Sequence, residues 1–332
     1  MTDPRERPLF TFVQINDTHV QGAAGKASDV PRLPRAEEKL AAVVRLINEE
    51  TLFPLPDFVI GLGDLINGMR ANLLEPDMAA FQGLIAPLKA PFLPAVGNHE
   101  NIQREGDADL EAAYDRAFGK GTKQYCFTCG GVLFIVLNNA GALGGGDAVS
   151  DARNRWLGRV MDAHPDAPKI VLCHVPLVPL RDPAVLRESF GFPTFVTRGS
   201  GTLDLVEAQA DTVIAVLSGH LHLTAAAERN GIHHVCPSGP SSYPSHFARY
   251  AVHADRVEVV MHQPPADLVG RREDNNLHGT PRWDREHTDA DHPTPESYVA
   301  GAPAEQRLTI PLPPAKRPRP DLLGAELQVL GP

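Results

Sequence analysis

Five short segments of this chain carry oxygen and imidazole donors at spacings that suit divalent cations. They are Asp17-Thr18-His19, Gly63-Asp64, Gly97-Asn98-His99-Glu100, Cys173-His174 and Gly219-His220-Leu221-His222. Most follow directly on an apolar, β-rich run. Asp17 and His19 stand at i and i+2 after such a run, and in an extended chain those side chains point to one side. One carboxylate and one imidazole can then reach one cation. His220 and His222 repeat the device. Glycines precede Asp64, Asn98 and His220, where they permit a sharp turn. Aspartate, asparagine and histidine without a thiolate suit Mn, Fe, Co, Ni or Zn. Magnesium accepts fewer imidazoles and calcium almost none. Cys173 adjoins His174, but alternation turns it to the other side of its strand, where it reads as a small apolar core residue. Together the donors suffice for two cations sharing a carboxylate, an arrangement that activates water toward a phosphoester.

Positioning these groups takes alternating strands and helices, and the first two thirds of the chain has that pattern. A strand rich in β-branched and aromatic residues is predicted over 9–16. Leu40, Val43, Val44 and Ile47 line one face of a helix over 35–50. Strands are predicted at 57–63 and 91–96, and helices at 75–88 and 107–118. A hairpin follows, 124–128 and 132–137, around a Gly130-Gly131 turn. Residues 141–146 are a glycine-rich loop. A helix over 151–163 has Asp151 near its N-cap. Strands at 169–173 and 212–217 enclose an irregular insertion, 181–202. Residues 232–262 read as an antiparallel meander. After Gln263 periodicity vanishes, and Pro, Asp, Arg and His dominate. A catalytic domain over 1–263 is therefore followed by an extension over 264–332, partly extended or disordered, with 308–310 suited to a short strand. His287 and His292 in it are expected at the solvated surface.

The length of 332 residues allows one large domain or two ordinary ones. Acidic residues outnumber basic ones, 41 to 31, for a net charge of −10. A broad nucleic-acid-binding face favours the opposite sign, so no nucleic-acid partner is expected. A bound cation pair would offset the charge locally and keep a small anionic substrate admissible. No run of about 20 apolar residues is present, so no membrane span is expected. Residues 1–7 lack the length and cleavage site of a secretion signal, which leads to the expectation of a cytoplasmic protein. Four cysteines are too few for a disulfide scaffold. Cys126 and Cys129 form one C-x-x-C, but in a hairpin instead of at a helix start, and with no second pair for a zinc knuckle. A structural role is expected for them.

Taken in order, D-x-H, G-D, G-N-H-E, H and G-H-x-H resemble the calcineurin-like metallophosphoesterase superfamily, across residues 17–222. The resemblance implies an α/β fold, an αββα sandwich of two mixed sheets flanked by helices, with metals at the strand ends. It implies that Asp17, His19 and His222 hold one metal, that Asn98, His174 and His220 hold the other, and that Asp64 bridges both. The cofactor would be two divalent ions, Mn or Fe first, with Zn, Co or Ni as alternatives. His99 would stand outside the ligand set, beside the leaving-group oxygen, as general acid or transition-state donor. A hydroxide bridging cations ~3.5–4 Å apart would attack phosphorus.

Substrate is read from the remainder of the motifs. Gly63-Asp64-Leu65-Ile66-Asn67-Gly68 and Val96-Gly97-Asn98 lack the Asp and Arg that mark protein phosphatases of the superfamily. Asn67 stands where purple acid phosphatases carry a tyrosine. Asn16-Asp17-Thr18-His19 resembles the 5′-nucleotidases, but Asn101 and Ile102 replace their Phe and Asp. The chain looks most like small bacterial phosphodiesterases of the cyclic-nucleotide type, whose G-D-[LV]-x-[DN] Asn67 fits. The expected reaction is hydrolysis of a small, nucleotide-like phosphodiester, with phosphomonoester hydrolysis as the alternative. A non-catalytic metal-binding scaffold ranks lower, because such members tend to lose His99 or a ligand. A nuclease ranks lower for want of a basic stripe. In the 181–202 insertion, Phe190, Phe192 and Phe195 either stack on a base or pin the loop to the core, and Arg198 can meet a phosphate. Asn67, Phe192 and Arg198 are thus the candidate substrate contacts.

Overall fold

Apolar runs too short for helices become strands, and their order in space explains where the donors gather. The computed structural model describes residues 7–30, 33–68, 70–100, 111–140, 147–190, 196–197, 201–272, 276–277, 280–281 and 287–331. One mixed sheet has the order β14 (Arg307–Pro311), β11 (Arg256–His262), β10 (Phe247–Val252), β1 (Phe10–Ile15), β2 (Phe58–Leu62), β3 (Phe92–Ala95). Within it β1, β2 and β3 are parallel, and the other pairs antiparallel. The second mixed sheet has the order β15 (Gln328–Gly331), β4 (Tyr125–Cys129), β5 (Val132–Leu137), β6 (Lys169–Cys173), β7 (Val213–Leu217), β9 (Ile232–Cys236), β8 (Ala225–Arg229). Here β5, β6, β7 and β9 run parallel. A two-residue ladder also pairs β12 (Asn276–Leu277) with β13 (Thr280–Pro281).

The two sheets pack face to face over an aromatic core. Phe12 on β1 pairs in register with Phe58 on β2 and Tyr250 on β10. Its ring stacks on both, at centroid distances of 5.0 and 4.4 Å, and meets Phe134 of the second sheet edge-on at 5.4 Å. Such pairs add about 0.5–1.5 kcal/mol each beyond area burial. Helices cover the outer faces. Leu40, Val43 and Ile47 of α2 (Ala36–Asn48), Met78 and Phe81 of α3 (Ala71–Ile85) and Tyr114 of α4 (Glu111–Phe118) bury Val13, Ile15 and Val59. Leu157 and Met161 of α5 (Asp147–Ala163) do the same for Leu133, Ile135 and Val171. The layers are α, β, β, α, as expected.

Several boundaries differ from the sequence expectation, each for a physical reason. α3 begins at Ala71, because Leu73 and Leu74 already face the core. α5 begins at Asp147, which puts Asp151 inside the helix and not at its cap. The 181–202 insertion is not irregular at its start. Asp182 Oδ1 accepts the Ala184 and Val185 amides at 2.9 and 3.1 Å and, followed by Pro183, opens helix α6 (Pro183–Phe190). The 232–262 meander is divided between sheets: β9 pairs with β7 and β8, whereas β10 and β11 join the other sheet. Cys126 and Cys129 sit on opposite faces of β4, in different apolar clusters, both free and buried.

Beyond Gln263, β14 extends one sheet and β15 the other. Tyr298 and Val299 of α9 (Pro295–Ala300) are buried against Leu180, Leu186, Leu221 and Leu223. His292 is buried, not solvated, with Asp289 and Glu305 each 2.7 Å from a ring nitrogen. Among the described residues, no helix is long and apolar enough to cross a membrane.

Candidate metal centre

The candidate donors all follow the C-terminal ends of parallel strands: β1, β2 and β3 in one sheet, β6 and β7 in the other. Such strand ends are where α/β folds place ligands. The loops after β1 and β2 stay zipped beyond the strands, through Asp17 N to Gly63 O, His19 N to Asp64 O and Val20 N to Leu65 O at 3.0–3.2 Å. In the second sheet the loops after β6 and β7 are joined likewise, the Gly219 amide donating to His174 O at 2.9 Å. The extended i, i+2 geometry expected for the two motifs is not what brings their members together. Asp17, His19, Asp64, His220 and His222 all have positive φ, between 43° and 72°. Left-handed conformations at non-glycine residues cost of order 1–3 kcal/mol each, and they cluster at functional sites. The preceding glycines serve in two ways. Gly63 has φ +80°, whereas at Gly97 a Cβ would lie 2.1 Å from the Asp64 nitrogen.

Two groups of donor atoms result, each within 4.8 Å: Asp17, His19, Asp64 and His222 in one, Asp64, His174 and His220 in the other. Asp64 belongs to both. All six side chains are buried. His19 Nε2 and His222 Nε2 approach to 2.9 Å, and Asp17 Oδ1 lies 3.3 Å from His222 Nε2. Asp64 Oδ2 is 3.2 Å from His174 Nε2 and 3.8 Å from both His19 Nε2 and His99 Nε2. Asn98 is in the turn after β3, packed on Asp64 through Gly97.

Partners on the far side aim four of the donors, Asp17, Asp64, His174 and His222, inward. Leu62 O takes the Nδ1 of His174 at 2.9 Å, and Ser242 Oγ pairs with His222 Nδ1 at 2.7 Å. Asp17 Oδ2 accepts from Asn16 Nδ2 at 2.6 Å and from the His220 amide at 2.8 Å. Asp64 Oδ1 accepts the His99 amide at 2.9 Å. The imidazole of His99 is held through Nδ1 on the Asn67 carbonyl, so Nε2 points to the cluster. Glu100 accepts the amides of Asp64 and Gly97 on one oxygen and that of Ile66 on the other, at 2.6–3.0 Å, and so ties two donor loops together.

Electrostatics follow from this crowding. Burial favours the neutral forms of Asp17 and Asp64, yet the surrounding imidazoles outweigh it and hold both carboxyls well below their ordinary range. Burial opposes a charge on His174, but Asp64 and Asp17 push it up to about 10. His19 is pushed down to about 3 by burial and by His99. Burial and the charge of Asp64 raise Glu100 to about 8. The donor set suits divalent cations of the first transition row. Three of its atoms, Asp17 Oδ1, Asn98 Oδ1 and His174 Nε2, are buried and make no hydrogen bond among the described residues. Buried polar atoms without partners are rare, and here a cation would satisfy all three.

Of the candidate substrate contacts, Asn67 is fully buried beside His99, while Phe192, Phe195 and Arg198 lie outside the described residues. Several contributors escaped the sequence reading. Ser241 and Ser242 come from the serine-rich segment between β9 and β10, with Ser241 bonded to the Asp17 carbonyl. The Lys39 amine of α2 donates to Ser241 O at 2.8 Å. Asp77 of α3 accepts the Gly22 and Gly68 amides at 2.7 and 3.1 Å, joining the loops after β1 and β2. The serine run was visible in the sequence, but nothing local says that it folds back over strand ends.

A family model described as calcineurin-like phosphoesterase matches residues 10–223. Among solved structures, a dimetal phosphatase from Danio rerio is similar at 16% identity and a TM-score of 0.54, over 76% of this chain and 96% of that one. A purple acid phosphatase from yellow lupin seeds gives 14% and 0.55, over 84% of this chain and 58% of that one. An anchor protein of the Plasmodium inner membrane complex gives 14% and 0.51, over 79% and 87%. These likenesses concern the fold. No curated protein matches significantly.

Proposed function

The chain belongs to the calcineurin-like phosphoesterase family and is a metallophosphoesterase, and from that premise we propose that it hydrolyses a small, nucleotide-like phosphodiester at a dinuclear centre. The observation that carries the reading is the convergence of two buried donor groups on one shared carboxylate, Asp64. Asp17, His19 and His222 would hold one divalent cation, and Asn98, His174 and His220 the other, with Asp64 common to both. When bound, such a pair polarises a phosphoryl oxygen and lowers the pKa of a water that can attack phosphorus.

The chain's own residues supply the remainder. His99, fixed through Nδ1 by the Asn67 carbonyl, offers Nε2 toward the cluster at 3.8 Å from Asp64 Oδ2. Protonated there, it would donate to the departing oxygen, an effect typically worth about 10²–10⁴ in rate. Glu100 and Asp77 hold the donor loops in register, so that the donors need not reorganise as charge develops. The preference for a diester rests on Asn67 in Gly63-Asp64-Leu65-Ile66-Asn67. A panel of cyclic nucleotides, glycerophosphodiesters and monoesters, assayed with Mn²⁺, tests it. Diester turnover is expected. Good monoester turnover without diester turnover would replace the diester reading with a monoesterase.

A further inference from the structure

Gln14 is an amide on the inner face of β1, two residues from Phe12, fully buried beside the aromatic core. Burying such a group is unfavourable unless its hydrogen bonds are made. Here they are made. Gln14 Nε2 donates to Ser218 O at 2.8 Å and to Asn16 Oδ1 at 3.1 Å. Its Oε1 accepts the Tyr250 hydroxyl at 2.8 Å. Asn16 Nδ2 donates in turn to Pro237 O at 3.0 Å and to Asp17 Oδ2 at 2.6 Å. The two backbone carbonyls only accept, so they fix the orientation of both amides. Every link therefore runs one way, from Tyr250 through Gln14 and Asn16 to Asp17. Tyr250 is held by its stack on Phe12, and burial pushes its pKa far above that of an ordinary phenol, so it remains a donor.

With the His220 amide also on Oδ2, the other oxygen of Asp17 is the one presented to His19 and His222. We propose that Gln14 and Tyr250 are positioning residues for Asp17, forming a buried relay that holds Oδ1 toward the cation shared with His19 and His222. The proposal rests on the reading of Asp17 as a metal ligand. A pair kept only for packing would have a simpler form. Replacing both partners of a buried hydrogen bond by apolar groups of similar shape can be nearly neutral for stability. Outer partners of metal ligands, by contrast, typically alter metal affinity by about 10–100-fold.

The test is a calorimetric Mn²⁺ titration of chelator-treated, dialysed full-length protein, comparing wild type with the double variant Gln14→Met, Tyr250→Phe. Melting is followed with and without Mn²⁺. Wild type should take up two equivalents. The variant leaves Ser218 O and Asn16 Oδ1 without the Gln14 donor, so it should melt below wild type without metal. The gap should be larger in Mn²⁺, and one of the two equivalents should bind about 10–100-fold more weakly. Tyr250→Phe alone removes one donor and should give a smaller loss of the same sign, which serves if the double variant does not fold. Unchanged affinity for both equivalents in a folded variant, or an equal melting loss with and without Mn²⁺, overturns the relay and leaves the dinuclear reading standing. Wild-type protein that takes up no Mn²⁺ overturns both.

Discussion

His99 and Glu100 are adjacent in one turn, and their side chains serve different ends. His99 reaches the cluster with Nε2 while Glu100 turns away to collect backbone amides. His99→Ala should therefore keep both metals and slow turnover by about 10²–10⁴, most for esters with poor leaving groups. Metal analysis beside a leaving-group series decides this. Metal loss in that variant would make His99 a ligand instead of a proton donor. Glu100→Gln keeps the shape but replaces one acceptor by an NH₂ that faces an amide donor. A loss of about 1–3 kcal/mol is expected, read from the urea midpoint. At this scale the donors were legible in the sequence, because residue type and order carry the chemistry. Their backbone conformation was not. Nothing in Asp17-Thr18-His19 announces left-handed φ at both ends, since tertiary contacts impose it.

At the scale of elements, the site is only as firm as the loops between strands. Asp77 on α3 is a buried carboxylate that grips two of those loops. Burial raises its pKa from 3.8 to about 6, more than the Gly22 and Gly68 amides lower it. The native state thus binds a proton in that window that the unfolded chain has lost. Stability contributed by Asp77 is present at acid pH and falls as pH rises from 3.8 to about 6. Asp77→Asn should remove this slope, so the stability difference between wild type and variant should change across that window and stay level above it. Urea titrations at a series of pH values measure it. A difference that is level throughout would show that Asp77 titrates normally. Strands such as Phe58–Leu62 and Val213–Leu217 were legible because a continuous apolar run of that length has few other solutions. The start of α6 is signalled by Asp182-Pro183, but a helix of eight residues is too short for its periodicity to stand out in the insertion. The allocation of β9 and β10 to different sheets was beyond reach, because alternation defines a strand and not its partner.

At the scale of the molecule, the C-terminal segment completes the sandwich. β14 and β15 cover an edge of each sheet, and a buried ion pair fastens the chain that leads into β14. Arg181, in the loop after His174, binds Glu305 at 2.7 Å and the carbonyls of Tyr298 and Thr224. His292 bridges Glu305 and Asp289. Burial opposes ionisation of Glu305, yet Arg181 holds its carboxyl below the ordinary range. Breaking such a pair from one side typically costs about 3–5 kcal/mol, so Glu305→Ala should lower the denaturation midpoint accordingly. A change below about 1 kcal/mol would mark the pair as no more than a surface contact. Composition concealed this integration. The segment is rich in proline and charge, yet Leu268, Tyr298, Val299, Ile310 and Leu312 become buried, while Leu322, Val329 and Leu330 stay exposed.

The measurement that bears most directly on the whole account is an anomalous-scattering map from crystals of the full chain grown with Mn²⁺. The account predicts two peaks roughly 3.5–4 Å apart. One should lie among Asp17, His19, His222 and Asp64, the other among Asp64, Asn98, His174 and His220. A single peak, or peaks away from Asp64, would contradict it.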